Sequence, residues 1–161
     1  MAPFKSALVL GLVLGLAVLS ALPALAAIDV NNSFTPSTRY PGEPARLIIR
    51  LQNSSLSPSQ DVALENTLPA GVYLAPDANI ANTCGGALTA SNDAERGSVS
   101  IVSAQIPAGD GSNTGFCQIE LDVIGQERGT YVSTIAAGAL TGLTNGVPEA
   151  NAMASSATLA I

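Results

Sequence analysis

After residue 27, apolar and polar residues alternate with a period of two along most of the chain. Ile28, Val30 and Phe34 fall at even spacing and predict a first strand over 28–34. Pro36, Pro41, Gly42 and Pro44 then impose an irregular stretch. From Ala45 to Asn53 the alternation is strong, with Leu47, Ile49 and Leu51 on one face and Arg46, Arg50 and Gln52 on the other. Val62 and Leu64 form the next alternating run, and Leu68-Pro69-Ala70-Gly71 turns the chain into a short strand over 72–75. Residues 76–97 read as a loop-like excursion holding one short strand at 87–90. Val99 and Ile101 alternate with serines. The clearest strand spans Phe116 to Ile124, with Cys117, Ile119, Leu121 and Val123 opposite Gln118, Glu120 and Asp122. Runs at 129–136 and at Ala157, Leu159 and Ile161 complete the series. The expected fold is all-β: an Ig-like antiparallel β-sandwich of about 7–9 strands. Its expected core is Leu47, Ile49, Leu51, Val62, Leu64, Ile119, Leu121 and Val123.

The first 26 residues break this pattern. Lys5 precedes an apolar run from Ala7 to Leu19, Pro23 follows, and Ala24-Leu25-Ala26 ends the segment. A basic start, an apolar middle and a small-residue triplet are the marks of a cleavable signal helix over 1–26. The rival reading is a retained membrane anchor, since Ala7 to Ile28 has the length to span a bilayer. Cleavage before Ala27 leaves one domain over 27–161, exported to the cell surface, the medium or the periplasm.

Composition narrows the functions open to that domain. Residues 27–161 hold five arginines, no lysine and no histidine against twelve carboxylates, a net charge of −7. Such a chain repels phosphate backbones and anionic lipid, so neither nucleic acid nor, after cleavage, a membrane is an expected partner. Without histidine there is no Ser-His or Cys-His catalysis, and without lysine no Ser-Lys pair or Schiff base. No phosphate-loop or Gly-x-Ser-x-Gly pattern is present. Glu120 and Asp122 share one strand face, where solvation rather than glycosidase chemistry is the expected role. The expectation is therefore a non-enzyme without a catalytic residue.

Two cysteines, Cys84 and Cys117, form an even pair in an oxidising compartment and predict one disulfide. Asp77, Asp93, Glu95 and Asp110 lie in turn-rich segments and are the calcium candidates. Their competing role is the ordinary one of Asp in turns, which is to bond nearby backbone. No other cofactor is expected. Aromatic residues, which glycan platforms ordinarily use, are scarce, and Tyr40 and Phe116 are the ones placed to be exposed.

Several segments carry a family resemblance. These are Phe34-Thr35-Pro36, Pro41-Gly42-Glu43, the strand from Leu47 to Asn53, and Val62 to Val72 with its Thr67-Leu68-Pro69-Ala70-Gly71 turn. They resemble the conserved-repeat Ig-like domain of bacterial and archaeal surface proteins, a domain of unknown function (type 11). Cys84-Gly85-Gly86 and Cys117 are similar to its cysteine-bearing branch. Asn66 stands where members of that family often carry Asp, and here the domain occurs in a single copy. The resemblance implies a structural or adhesive module and supplies no catalytic residue. Expected partners are other surface proteins or further copies of the chain, joined through edge strands. Ile28, Val30 and Phe34 mark the candidate assembly strand, which cleavage would leave at the N-terminus. The alternative expectation is a soluble secreted module that binds calcium, a glycan or another small ligand.

Overall fold

The computed structural model describes residues 27–161; the signal segment read at 1–26 lies outside the described residues. Twelve strands follow in order: β1 (Ile28–Thr35), β2 (Pro44–Asn53), β3 (Ser59–Thr67), β4 (Val72–Leu74), β5 (Ala81–Asn82), β6 (Ala87–Asn92), β7 (Gly97–Ile106), β8 (Gly115–Gly125), β9 (Thr130–Ile135), β10 (Thr141–Thr144), β11 (Val147–Ala150) and β12 (Ser155–Ala160). The first sheet has the order β1-β2-β8-β4, with β5 also on β8; the second runs β11-β10-β3-β7-β6; β9 and β12 form a ribbon. All strand pairs are antiparallel, and one parallel bridge, Thr38 to Ala160, ties the segment after β1 to β12. The fold is an Ig-like antiparallel β-sandwich.

Alternation places the core. Registered pairing lines up Phe34, Leu47 and Leu121 across β1, β2 and β8, and in the same way Val30, Leu51 and Cys117. Every residue of the expected core is buried. The Asn32, Ile49 and Ile119 row carries a polar member. The buried Asn32 amide donates to Ser133 O at 3.1 Å and accepts from Ser155 Oγ at 2.8 Å. That network satisfies groups which would otherwise be desolvated without partners.

Turn chemistry sets the connections. In the Thr67–Gly71 turn, Leu68 plugs the core and Val72 N donates to Pro69 O at 3.0 Å. Gly71, at φ +86°, takes the position of a type II turn that requires a positive φ. A Cβ there would also meet the Tyr131 ring at 3.0 Å. The β10–β11 hairpin turns on Asn145 (φ 52°) and Gly146 (φ 76°), the pair of positive angles that a type I′ turn needs.

The strand count exceeds the expected range because short pieces add to it. The excursion at 76–97 holds β5 as well as β6, and β6 runs to Asn92 rather than ending at residue 90. The β10–β11 hairpin falls where no strand was expected.

Candidate interaction surfaces

Cys84 and Cys117 form the disulfide, with Cα atoms 5.0 Å apart. Cys117 sits on the buried face of β8, and Cys84 lies in the loop between β5 and β6. Cys84 N accepts no role in a ladder but donates to Asn82 Oδ1, while Gln105 N donates to Cys84 O. The excursion is thereby fastened to both sheets.

The calcium candidates are not gathered into one place. Among the described residues no group of three or more acidic, Cys or His side chains is positioned to hold a metal ion. Asp93 Oδ1 accepts from the backbone N–H of Glu95 (2.7 Å) and of Arg96 (2.8 Å), capping the β6–β7 turn. Asp110 Oδ1 does the same for Ser112 (2.8 Å) and Asn113 (2.6 Å), and its Oδ2 accepts from Asn113 Nδ2. These donors hold both carboxyls below the usual carboxylate range: for Asp93 the backbone N–H of Glu95 is the main cause, for Asp110 the Asn113 side chain. Glu95 pairs with Arg96 at 2.8 Å, and Asp77 lies in the loop after β4.

Glu120 and Asp122 lie on the outer face of the first sheet and share one cation. Arg46 Nε is 3.2 Å from Glu120 and Arg46 Nη1 is 3.1 Å from Asp122. Nearby, the Arg50 guanidinium stacks 3.8 Å from the Phe116 ring centroid, so this exposed ring covers an arginine.

The candidate assembly strand, β1, has its apolar side chains turned inward: Ile28, Val30 and Phe34 are all buried. One backbone edge is paired with β2 over eight residues. On the other side, Asn32 N donates to Ser155 Oγ at 3.0 Å, and Arg39 N and Ala160 N bond across the parallel bridge. β12 therefore lies along the outer side of β1.

The second sheet presents a different surface. Its pairing sets Thr141 between Ala150 and Ala63 on one side and Val102 opposite Ala87 on the other, with the β3–β7 register shifting between Val62 and Leu64. Glu65, Ser100 and Thr89 form a line. Asp61, Glu65 and Glu149 are its charged residues, and none of the five arginines lies on its strands. Its last strand, β6, has the sequence ALTASN, without charge or proline. Among the described residues, the backbone of 87–91 bonds to nothing beyond β7. Only the end of β6 is occupied, where the Asn92 amide bonds both Leu74 N and Leu74 O. The opposite edge, β11, carries Pro148. Sequence reasoning missed this edge because β6 alternates weakly. Its readable signal was the uncharged run itself, bounded by Gly86 and Asp93.

Comparison with known proteins supports the architecture. No curated protein matches the chain in sequence. Among solved structures, the chain is similar to a non-cellulosomal cohesin from the hyperthermophilic archaeon Archaeoglobus fulgidus, at 9% identity and TM-score 0.53, covering 82% of this chain and 90% of that one. It is also similar to BslA, a bacterial hydrophobin, at 19% identity and TM-score 0.50, covering 85% of this chain and 95% of that one. Likeness at these identities speaks for the sandwich fold alone. A family model matches residues 29–161, from within β1 through β12, and the chain belongs to the family described as Domain of unknown function (DUF7933).

Proposed function

We propose that this protein is an exported, non-enzymatic β-sandwich with a structural or adhesive role at the bacterial cell surface or in an extracellular assembly. The observation that carries this reading is the open, uncharged edge of β6. An unpaired strand edge without charge, proline or cover is a template for another strand. The expected occupant is a second copy. Antiparallel pairing of two β6 strands centred between Thr89 and Ala90 sets Asp93 opposite Gly86, so no acidic residue faces another across the junction. Two five-stranded sheets would then continue as one. The resemblance of the Phe34–Val72 segments to conserved-repeat surface domains fits the same reading. Export fits the disulfide, which persists in oxidising compartments.

Sedimentation velocity tests the proposal. The protein is expected to dimerise as concentration rises, and an A87K/T89K variant to remain monomeric with an unchanged melting temperature. Both positions are exposed, so the lysines burden the edge and not the core. V132K, on the uncharged ribbon strand β9 away from β6, is expected to associate normally. A protein that stays monomeric to about 1 mM, a limit equivalent to roughly 4 kcal/mol of association, overturns the reading. So does loss of association in V132K but not in A87K/T89K.

A further inference from the structure

A cleft of about 340 Å³ lies where the segment after β1 meets the β8–β9 turn, lined by Thr38, Arg39, Tyr40, Pro41, Glu43, Arg128 and Ile161. It is more enclosed than the open depressions on the second sheet. Its walls are held by backbone bonds. Arg39 N donates to Ala160 O at 2.9 Å, and Gly42 N to Gly125 O at 2.9 Å. Glu43 N donates to Tyr40 O at 3.0 Å, closing a turn with Gly42 at φ +81°. Gly129 and Ile161 exchange a pair of backbone hydrogen bonds on the far side. The cleft is thus preorganised.

Its charge is unusual for this molecule. Two of the five arginines line it, in a domain of net charge −7. Among the described residues neither Arg39 nor Arg128 is in an ion pair, whereas Arg46 and Arg96 both are. Arg39 Nε is buried and makes no hydrogen bond among the described residues. Beside the guanidinia stands the Tyr40 ring, 71% exposed, with Pro41 and Ile161 as apolar neighbours.

We infer that this cleft binds a uronate, a sugar-sized carboxylate carrying hydroxyl groups. The planar guanidinium fork matches a carboxylate in a bidentate way. The exposed ring offers a face for the C–H side of a pyranose. Glu43 decides between anions. Its Oε2 already accepts from Tyr40 N at 3.2 Å, and its remaining acceptor capacity suits ligand hydroxyls and repels a phosphate dianion. None of the lining residues belongs to β6 or to the second sheet. Failure of the dimer and failure of this site are therefore separate results.

Titration with glucuronate, glucose and sulfate, followed by amide NMR shifts, tests the inference. Glucuronate is expected to give saturable shifts at Arg39, Tyr40 and Gly129, and glucose none at the same concentrations. Arg128→Gln is expected to weaken glucuronate about tenfold, the scale of one hydrogen bond to a charged group. Tyr40→Ala is expected to weaken glucuronate while leaving acetate unchanged. Both residues are exposed, so neither variant threatens the fold. Absence of saturable shifts overturns the inference, as does equal binding of glucose. Sulfate binding as tight as glucuronate, with no effect of Tyr40→Ala, also overturns it and leaves only generic anion attraction.

Discussion

Leu121 and Asn66 are both almost fully buried, yet they are expected to respond oppositely to substitution. Leu121 packs in the row with Phe34 and Leu47, so Leu121→Ala is expected to cost about 2–5 kcal/mol through lost burial and the cavity left behind. Neither the Nδ2 nor the Oδ1 of Asn66 has a partner among the described residues. Asn66→Leu removes both polar groups at similar volume and is expected to be neutral or stabilising in urea denaturation. Asp93 and Asp110 act at the surface through turn geometry. Their carboxyls are held low in the folded chain, so the unfolded chain binds the proton more readily. The stabilisation is present above the unfolded carboxylate range and is lost as pH falls through the lowered folded values. Asp93→Asn with Asp110→Asn is expected to flatten the acid limb of a melting-temperature profile; an unchanged slope would refute the assignment.

At the scale of elements, the disulfide matters most to the segment from β4 to β7. That segment contains only the two-residue β5 and the edge strand β6, and little apolar burial holds it. Closing 33 residues of sequence separation stabilises by about 3–4 kcal/mol on the chain-entropy model. The C84A/C117A variant is expected to lose about that much, with hydrogen exchange rising first across 76–92. Uniform exchange increases across both sheets would show that the bond supports the whole sandwich instead. Strands with strong alternation, such as β2 and β8, were legible because one face is dry and the other wet. The β10–β11 hairpin was not, because its strands have four residues each and a buried glycine and threonine in place of aliphatics. Its Asn145-Gly146 turn was nevertheless a strong local signal.

At the scale of the molecule, association competes with charge. A domain of net charge −7 repels its own copies at long range, and that repulsion is screened over roughly 8 Å at physiological salt. The proposed dimer is therefore expected to tighten as salt rises from low concentration, because the β6 junction itself contains no charge to be screened. Dimerisation weakened by salt would point to an ionic contact elsewhere.

Local patterning was enough to determine the all-β class, the buried faces of β1, β2, β3 and β8, and the pairing of the two cysteines. Each of these depends on side-chain period or on simple parity, and both are properties of short stretches of chain. Which edges stay open and which side chains meet was decided only in three dimensions. β1 reads from sequence like an available strand, but the Asn32–Ser155 bonds, across 123 residues of sequence, lay β12 along its outer side. Arg39 and Arg128 become neighbours of one cleft only because the parallel bridge brings the segment after β1 beside the end of β12 and the β8–β9 turn. Sheet order and long-range closure depend on contacts between residues far apart in the chain, and no periodicity in a single segment encodes them.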